Sequence, residues 1–486
     1  MNEFSMGRRR FLGLTAAAGA AAASAALLGE PVAAATSTVD YAGLKRALKG
    51  PLLRPGDAGY AVAARPYNSA LGVRRPAAIA KVAGVDDVRT CVRRVRGHGV
   101  PLAARAGGHS YAGFSTPNNG VVVDLSALKG ITIRGDGTAV VGAGVRLIDL
   151  YSALAAHGRA LPAGSCPTVG VAGSTLGGGI GVVARTYGLT CDHLRAATVV
   201  TADGAVHTVD GNHDADLLWA LRGGGGGNGG IVTSFTFGTV PAPTVTVFTL
   251  RFPAARTSRV LRAWSQWMDA APDQLTSLCA VTAASTPANR VTGAWTGSAS
   301  ALTRHLTALI SAVGASPTSR TVHTYNYLTA MKYFAGCLSK TVAVCHTPGQ
   351  EAFRAASRML DRTVTASIAD RVVALMRKQK GMVLLFDSLR GQVGRIRAAD
   401  TAFVHRGAHA SVQVYSGNAA NGPAVLAVQQ ALAPIVGHGS YVNYLNPGQK
   451  DWASAYYGTN LPRLRQVIRK YDPARVFDFQ QSVLRA

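Results

Sequence analysis

Acidic side chains are scarce in this sequence: 24 Asp and Glu stand against 50 Lys and Arg, a formal net charge of +26. Such an excess draws a protein toward polyanions without any reading of sequence. It does not make a nucleic-acid reader, because the basic residues are scattered and the longest run is Arg377, Lys378, Gln379, Lys380. No zinc-ligand spacing, RNP-like strand or DNA-reading helix accompanies them, which excludes a specific nucleic-acid partner. Aromatic residues are sparse at 7%, modest material for a broad stacking groove. Long apolar runs are missing: past the N-terminal region no segment approaches the roughly 20 residues that span a bilayer. The six cysteines show no metal-site spacing. No G-x-G-x-x-G joins an early strand to a helix, which excludes a Rossmann dinucleotide unit.

What is present begins with Arg8, Arg9 and Arg10 ahead of Phe11 and Leu12, then an Ala/Gly/Leu stretch to about Leu28 and the small residues Ala33, Ala34 and Ala35. This order predicts a signal peptide over residues 1–35. The paired arginines before Phe11 fit the twin-arginine type, which exports folded proteins. The mature chain is expected to be secreted, monomeric and without a transmembrane segment. With 48% hydrophobic residues it buries a large core, and its length suits two or three domains of roughly 150 residues each. Cys337 and Cys345 are neighbours that either oxidise after export or stay as buried thiols.

From Ala78 to Val240 strand-like and helical patterns alternate. Residues 74–82 read as a strand, 85–98 as an amphipathic helix with Asp86 as N-cap, and 102–105 as a buried strand. Strands at 121–125 and 139–142, a helix at 145–157 and a strand at 233–237 complete an α+β cradle. Beyond Pro241 and Pro243 the pattern changes. Strands are expected at 245–252, 291–296, 382–386 and 410–415, and helices at 258–268, 300–313 and 351–363. An antiparallel sheet covered by helices on one face would accommodate them.

Two loops carry the chemistry. Arg105, Ala106, Gly107, Gly108, His109, Ser110 hold an imidazole among glycines, and Gly164, Ser165, Cys166 through Val169, Gly170 and Gly173 hold a thiol the same way. Glycine lets the backbone approach a flat or charged ligand closely, and a nucleophile in such a loop suits covalent cofactor attachment. Neutral imidazole is available near pH 7, while a thiol must first become thiolate. Two further glycine runs, Gly177, Gly178 to Gly181 and Gly223 to Asn228, Gly230, Ile231, Val232, lie beside apolar strands and read as ordered turns whose N–H groups cradle a pyrophosphate.

The paired loops closely resemble the berberine-bridge-enzyme-like flavoproteins of the vanillyl-alcohol-oxidase type. The C-terminal run from Tyr441, Val442, Asn443, Tyr444 to Ser482 is similar to that family's tail nearly throughout. The resemblance implies FAD bound through two covalent bonds, from His109 to the 8α-methyl carbon and from Cys166 to C6. It implies an FAD-binding domain over 36–242, a substrate domain over 243–440, and a segment over 441–486 returning to close the flavin domain. Tyr444 matches the family's general base. Asp387 matches the carboxylate beside it in sugar-oxidising relatives, and Val169 the position that admits oxygen. A phenol ordinarily ionises near 10, so Arg390 or Arg395 is expected to supply the cation that lowers it. Arg390 with Gly391, and Leu385, depart from the pattern of sugar-oxidising members, which places substrate preference in question. The implied activity is an oxidase of a CH–OH carbon, a saccharide first and a secreted aromatic alcohol, amine or glycoside second, with oxygen as acceptor. A non-catalytic flavin-fold protein is the alternative of a different class.

Overall fold

Val121–Asp124 is buried along its whole length and stands inside a four-stranded sheet ordered Leu52–Leu53, Ala78–Lys81, Val121–Asp124, Leu102–Arg105. The last three strands are parallel and need cover on both faces. The helix Val85–Val95 covers one face with Val88, Cys91, Val92 and Val95. Its N-cap is Gly84 rather than Asp86. Asp87 turns back instead to accept the N–H groups of Lys49, Gly50 and Ala83. This computed structural model describes residues 38–346 and 349–486, and the expected signal at 1–35 lies outside them.

A second, antiparallel sheet is ordered Ile131–Ile133, Thr138–Gly142, Ile231–Gly238, Leu194–Val200, Val206–Val209. The two sheets share one apolar core with the helices Leu147–Ala155, Ala215–Leu221 and Leu461–Tyr471. The last of these helices belongs to the C-terminal segment, so the chain end packs into the core built by its first half.

The third sheet has seven strands, ordered Ser319–Tyr325, Val245–Arg251, Ala288–Trp295, Leu275–Thr282, Val383–Ser388, Ala410–Ser416, Arg354–Leu360, all antiparallel. Thr257–Ala270, Ala299–Val313, Ala366–Arg377 and Gly422–Val436 bury apolar stripes against one face. Strand alternation then decides what each residue meets. Leu384 and Phe386 enter this helix-covered core, while Leu385 and Asp387 turn to the opposite face, toward the glycine loops. The fold is α+β. Residues 351–363 are a correction: their Ala, Arg and Met content favours helix, yet Arg354–Leu360 pairs with Ala410–Ser416 as a sheet edge. Tertiary pairing overrides so weak a preference.

Cys337 and Cys345 form a disulfide, with Cα atoms 5.9 Å apart. Cys91, Cys191 and Cys279 are buried free thiols. Burial pushes Cys91 up to about 12 and raises the other two further. Cys166 is half-buried and in no disulfide. Among the described residues no helix is long and apolar enough to cross a membrane.

Candidate active site

The strand Leu102–Arg105 ends at a turn in which Gly108 takes φ +71°, delivering His109 to the sheet's edge. Its imidazole stacks on Tyr67 at 3.7 Å between ring centres, and Nε2 lies 2.9 Å from the hydroxyl of Thr168. Thr168 stands two residues past Cys166, so the two nucleophile loops meet. Their backbones touch: a Cβ on Gly107 would lie 2.3 Å from the nitrogen of Gly170, and one on Gly170 2.4 Å from the nitrogen of Gly107. Neither loop accepts a side chain at that crossing.

Both loops line one cavity of about 920 Å³ that runs between the glycine turns and the bare face of the seven-stranded sheet. Of the residues the sequence singled out, Gly107, Gly108, His109, Ser110, Gly164, Cys166, Val169, Gly170, Gly173, Gly181, Gly230, Ile231, Val232, Asp387, Asn443 and Tyr444 all line it. Four others do not. Arg105 is buried in an ion pair with Asp124 at 2.8 Å, tying two strands together. Gly177 and Gly178 stand behind the wall, where a Cβ would strike Asn443 at 2.1 Å and Phe403 at 2.9 Å. Asn228 is buried beneath its glycine run and accepts the N–H of Val483 at 3.0 Å, pinning the chain end. Arg390 and Arg395 are a further correction. They face a separate pocket, paired with Asp269 and Asp273, and supply no cation to the main cavity.

The tail places two tyrosines with different surroundings. Gly179 N–H, Ile180 N–H and the Asn443 amide all donate to the Tyr441 oxygen, at 2.9, 3.1 and 2.9 Å. Burial outweighs these bonds and pushes the Tyr441 phenol up to about 12. Tyr441 is thus a strap that holds the tail on the glycine turn. Tyr444 stands on the cavity wall with its ring stacked on Tyr111 at 5.0 Å. Gln413 donates to the Tyr111 hydroxyl at 2.9 Å, and Phe353 meets the Tyr111 ring edge-on at 4.9 Å. Asp387 faces the same space and makes no side-chain hydrogen bond or ion pair among the described residues; burial pushes its carboxyl up to about 7. Tyr111, Gln413, Phe353 and Tyr67 were not anticipated. Tyr111 sits two residues past His109, and Gln413 is the polar interruption of an apolar strand run, a signal that was available.

Residues 76–210 match the FAD binding domain family, and residues 440–484 match the family described as Berberine and berberine like. FAD-linked oxidoreductase YgaK of Bacillus subtilis is 32% identical over 455 residues, covering 90% of this chain and 98% of that one. The chain belongs to the berberine-bridge-enzyme-like FAD-linked oxidoreductases. Chitooligosaccharide oxidase of Gibberella zeae is 29% identical to this oxidoreductase over 434 residues, 84% of this chain and 87% of its own. The structure of BBE-like 1 from Physcomitrella patens matches with a TM-score of 0.85 at 27% identity, over 90% of this chain and 98% of that one.

The cavity of this oxidoreductase fits FAD. Its size lies within the range of a cofactor site, and Gly173 presents bare backbone with no atom within 4 Å of where a Cβ would stand. The Gly225–Gly227 backbone and Gly230 line the same cavity, with φ of +86°, +87° and +158° at Gly225, Gly227 and Gly230, conformations that suit glycine and leave backbone without side chains facing the cavity.

Proposed function

We propose that this enzyme is an exported oxidase holding FAD through two bonds, from His109 to the 8α-methyl carbon and from Cys166 to C6, and oxidising a CH–OH carbon of a saccharide. The observation that carries the reading is the backbone contact of Gly107 with Gly170, which sets both nucleophiles in one cavity with Tyr444 and Asp387. Bound FAD would supply the two-electron acceptor for this oxidation, with oxygen as its oxidant and hydrogen peroxide as the product.

The protein's own part is to bind, orient and move a proton. Tyr444 takes the substrate hydroxyl proton as general base, a contribution of about 10²–10⁴ in rate. Asp387 orients or receives the phenolic proton. Tyr111, held by Gln413 and Phe353, fixes the plane of the Tyr444 ring. Val169 leaves room for oxygen near the Cys166 loop. The glycine turns hold the pyrophosphate, while Arg105, Gly177, Gly178 and Asn228 shape those turns from behind. The disulfide supports export into an oxidising compartment.

A saccharide substrate draws support from the chitooligosaccharide oxidase among the relatives and from the aromatic faces of Tyr111, Phe353 and Tyr415 in the cavity. Leu385, apolar on the same face as Asp387, favours a second reading: the hydroxyl-bearing carbon of an aromatic alcohol or glycoside. Peroxide release from panels of oligosaccharides and aryl alcohols separates the two. With the best substrate, Tyr444→Phe is expected to lower kcat by about 10²–10⁴ with flavin content unchanged. Turnover at the parent rate contradicts the base assignment.

A further inference from the structure

Arg74 lines the main cavity, yet it is paired with nothing there. Its Nε is buried without a hydrogen-bond partner, and no carboxylate among the described residues lies within ion-pair distance of its guanidinium. The other arginine on the cavity wall, Arg485, is ion-paired with Asp478 at 2.6 Å, a carboxylate it shares with Arg475 at 3.1 Å. Burial draws the Arg74 pKa downward with no opposing partner. A cation partly withdrawn from water with no counter-charge beside it is unfavourable. A group held in that condition points to a ligand that brings the missing charge.

The local chain is shaped to keep it there. Gly113 takes φ +75°, and a Cβ at that position would lie 2.5 Å from Arg74 Nη2. The guanidinium therefore rests on bare backbone in the His109 loop. Phe114, the next residue, touches Phe479, and the Phe479 ring lies 3.1 Å from where a Cβ of Gly227 would stand. Phe114 of the His109 loop and Gly227 of the Gly223–Gly230 run thus both meet Phe479, and Arg74 rests on the residue before Phe114. Backbone N–H groups there offer partial charges but no full one.

We propose that Arg74 is the counter-cation of the FAD diphosphate. The cofactor brings two negative charges into this cavity, and Arg74 is the lining arginine with no carboxylate beside it among the described residues. A guanidinium bonds phosphate oxygens in a fork, and such charge-assisted bonds are the strong ones. The inference rests on FAD occupying this cavity and is independent of how many covalent bonds hold it.

The test uses the full chain carrying His109→Ala and Cys166→Ala, so that FAD binds reversibly. The protein is stripped of flavin and titrated with FAD at low and high salt. Arg74→Met is expected to weaken FAD about ten- to hundredfold, Arg74→Lys to restore most of that, and the gap to narrow as salt rises. With both anchors intact, flavin per chain under limiting riboflavin supply is expected to fall in Arg74→Met and recover in Arg74→Lys. This second measurement serves where the stripped protein does not fold. FAD binding and flavin content in Arg74→Met within about twofold of the parent, or a loss unaffected by salt, would overturn the proposal. A parent that takes up no FAD would overturn it together with the cofactor assignment.

Discussion

Asp387 joins two properties rarely found together in a carboxyl group: it faces a ligand cavity, and it has no hydrogen-bond or ion-pair partner among the described residues. Burial alone pushes it up to about 7, so it is protonated below that pH and ionised above it. Only the ionised form accepts or steers the Tyr444 proton. On the proposed mechanism kcat/KM therefore rises with pH through about 7, and Asp387→Asn removes that limb while lowering the rate. A limb that persists unchanged in Asp387→Asn assigns it to another group. At this scale the sequence was informative where chemistry is local. His109, Cys166 and Tyr444 were each singled out from a short run, and all three line the cavity. Gln413 and Tyr111 are 302 residues apart, and no local pattern joins them. Arg390 shows the opposite error: it follows Asp387 by three residues, yet φ +65° there and +54° at Gly391 turn the chain aside, and its charge goes to Asp269.

The elements of the site depend on close backbone approach. Gly170→Ala drives a Cβ to 2.4 Å from the Gly107 nitrogen, and backbone cannot yield as a flexible side chain does. The expected cost is about 1–3 kcal/mol of stability, with less flavin incorporated because the His109 and Cys166 loops are forced apart. Gly173→Ala, which meets no atom within 4 Å, is expected to melt with the parent. Equal melting temperatures for the two variants would show that the crossing relaxes freely. The glycine loops were legible as ordered turns because strongly apolar strands flank them, but which glycines face the cavity and which seat Asn443 and Phe403 is set by residues far downstream in the chain. The edge strand Arg354–Leu360 was read as a helix for a similar reason, since its partner Ala410–Ser416 decides its state.

Across the whole molecule, two sheets bury one shared core, a third sheet presents its uncovered face, and the C-terminal segment returns to bind both together. Tyr441 and Asn443 strap the Gly177–Gly181 turn, and Val483 pins the Gly223–Gly230 run through Asn228. The α+β class and this returning tail were readable in advance, the first from alternating patterns and the second from resemblance. The seven-strand order was not, because neighbours such as Leu275–Thr282 and Val383–Ser388 lie about a hundred residues apart. On the proposed reading this architecture holds one cofactor by two bonds. This is tested most directly by acid precipitation of the parent, His109→Ala, Cys166→Ala and the double variant, followed by flavin absorbance of washed pellet and supernatant. Flavin is expected in the pellet for the parent and each single variant, and released only when both anchors are gone. Flavin released from the parent would contradict it.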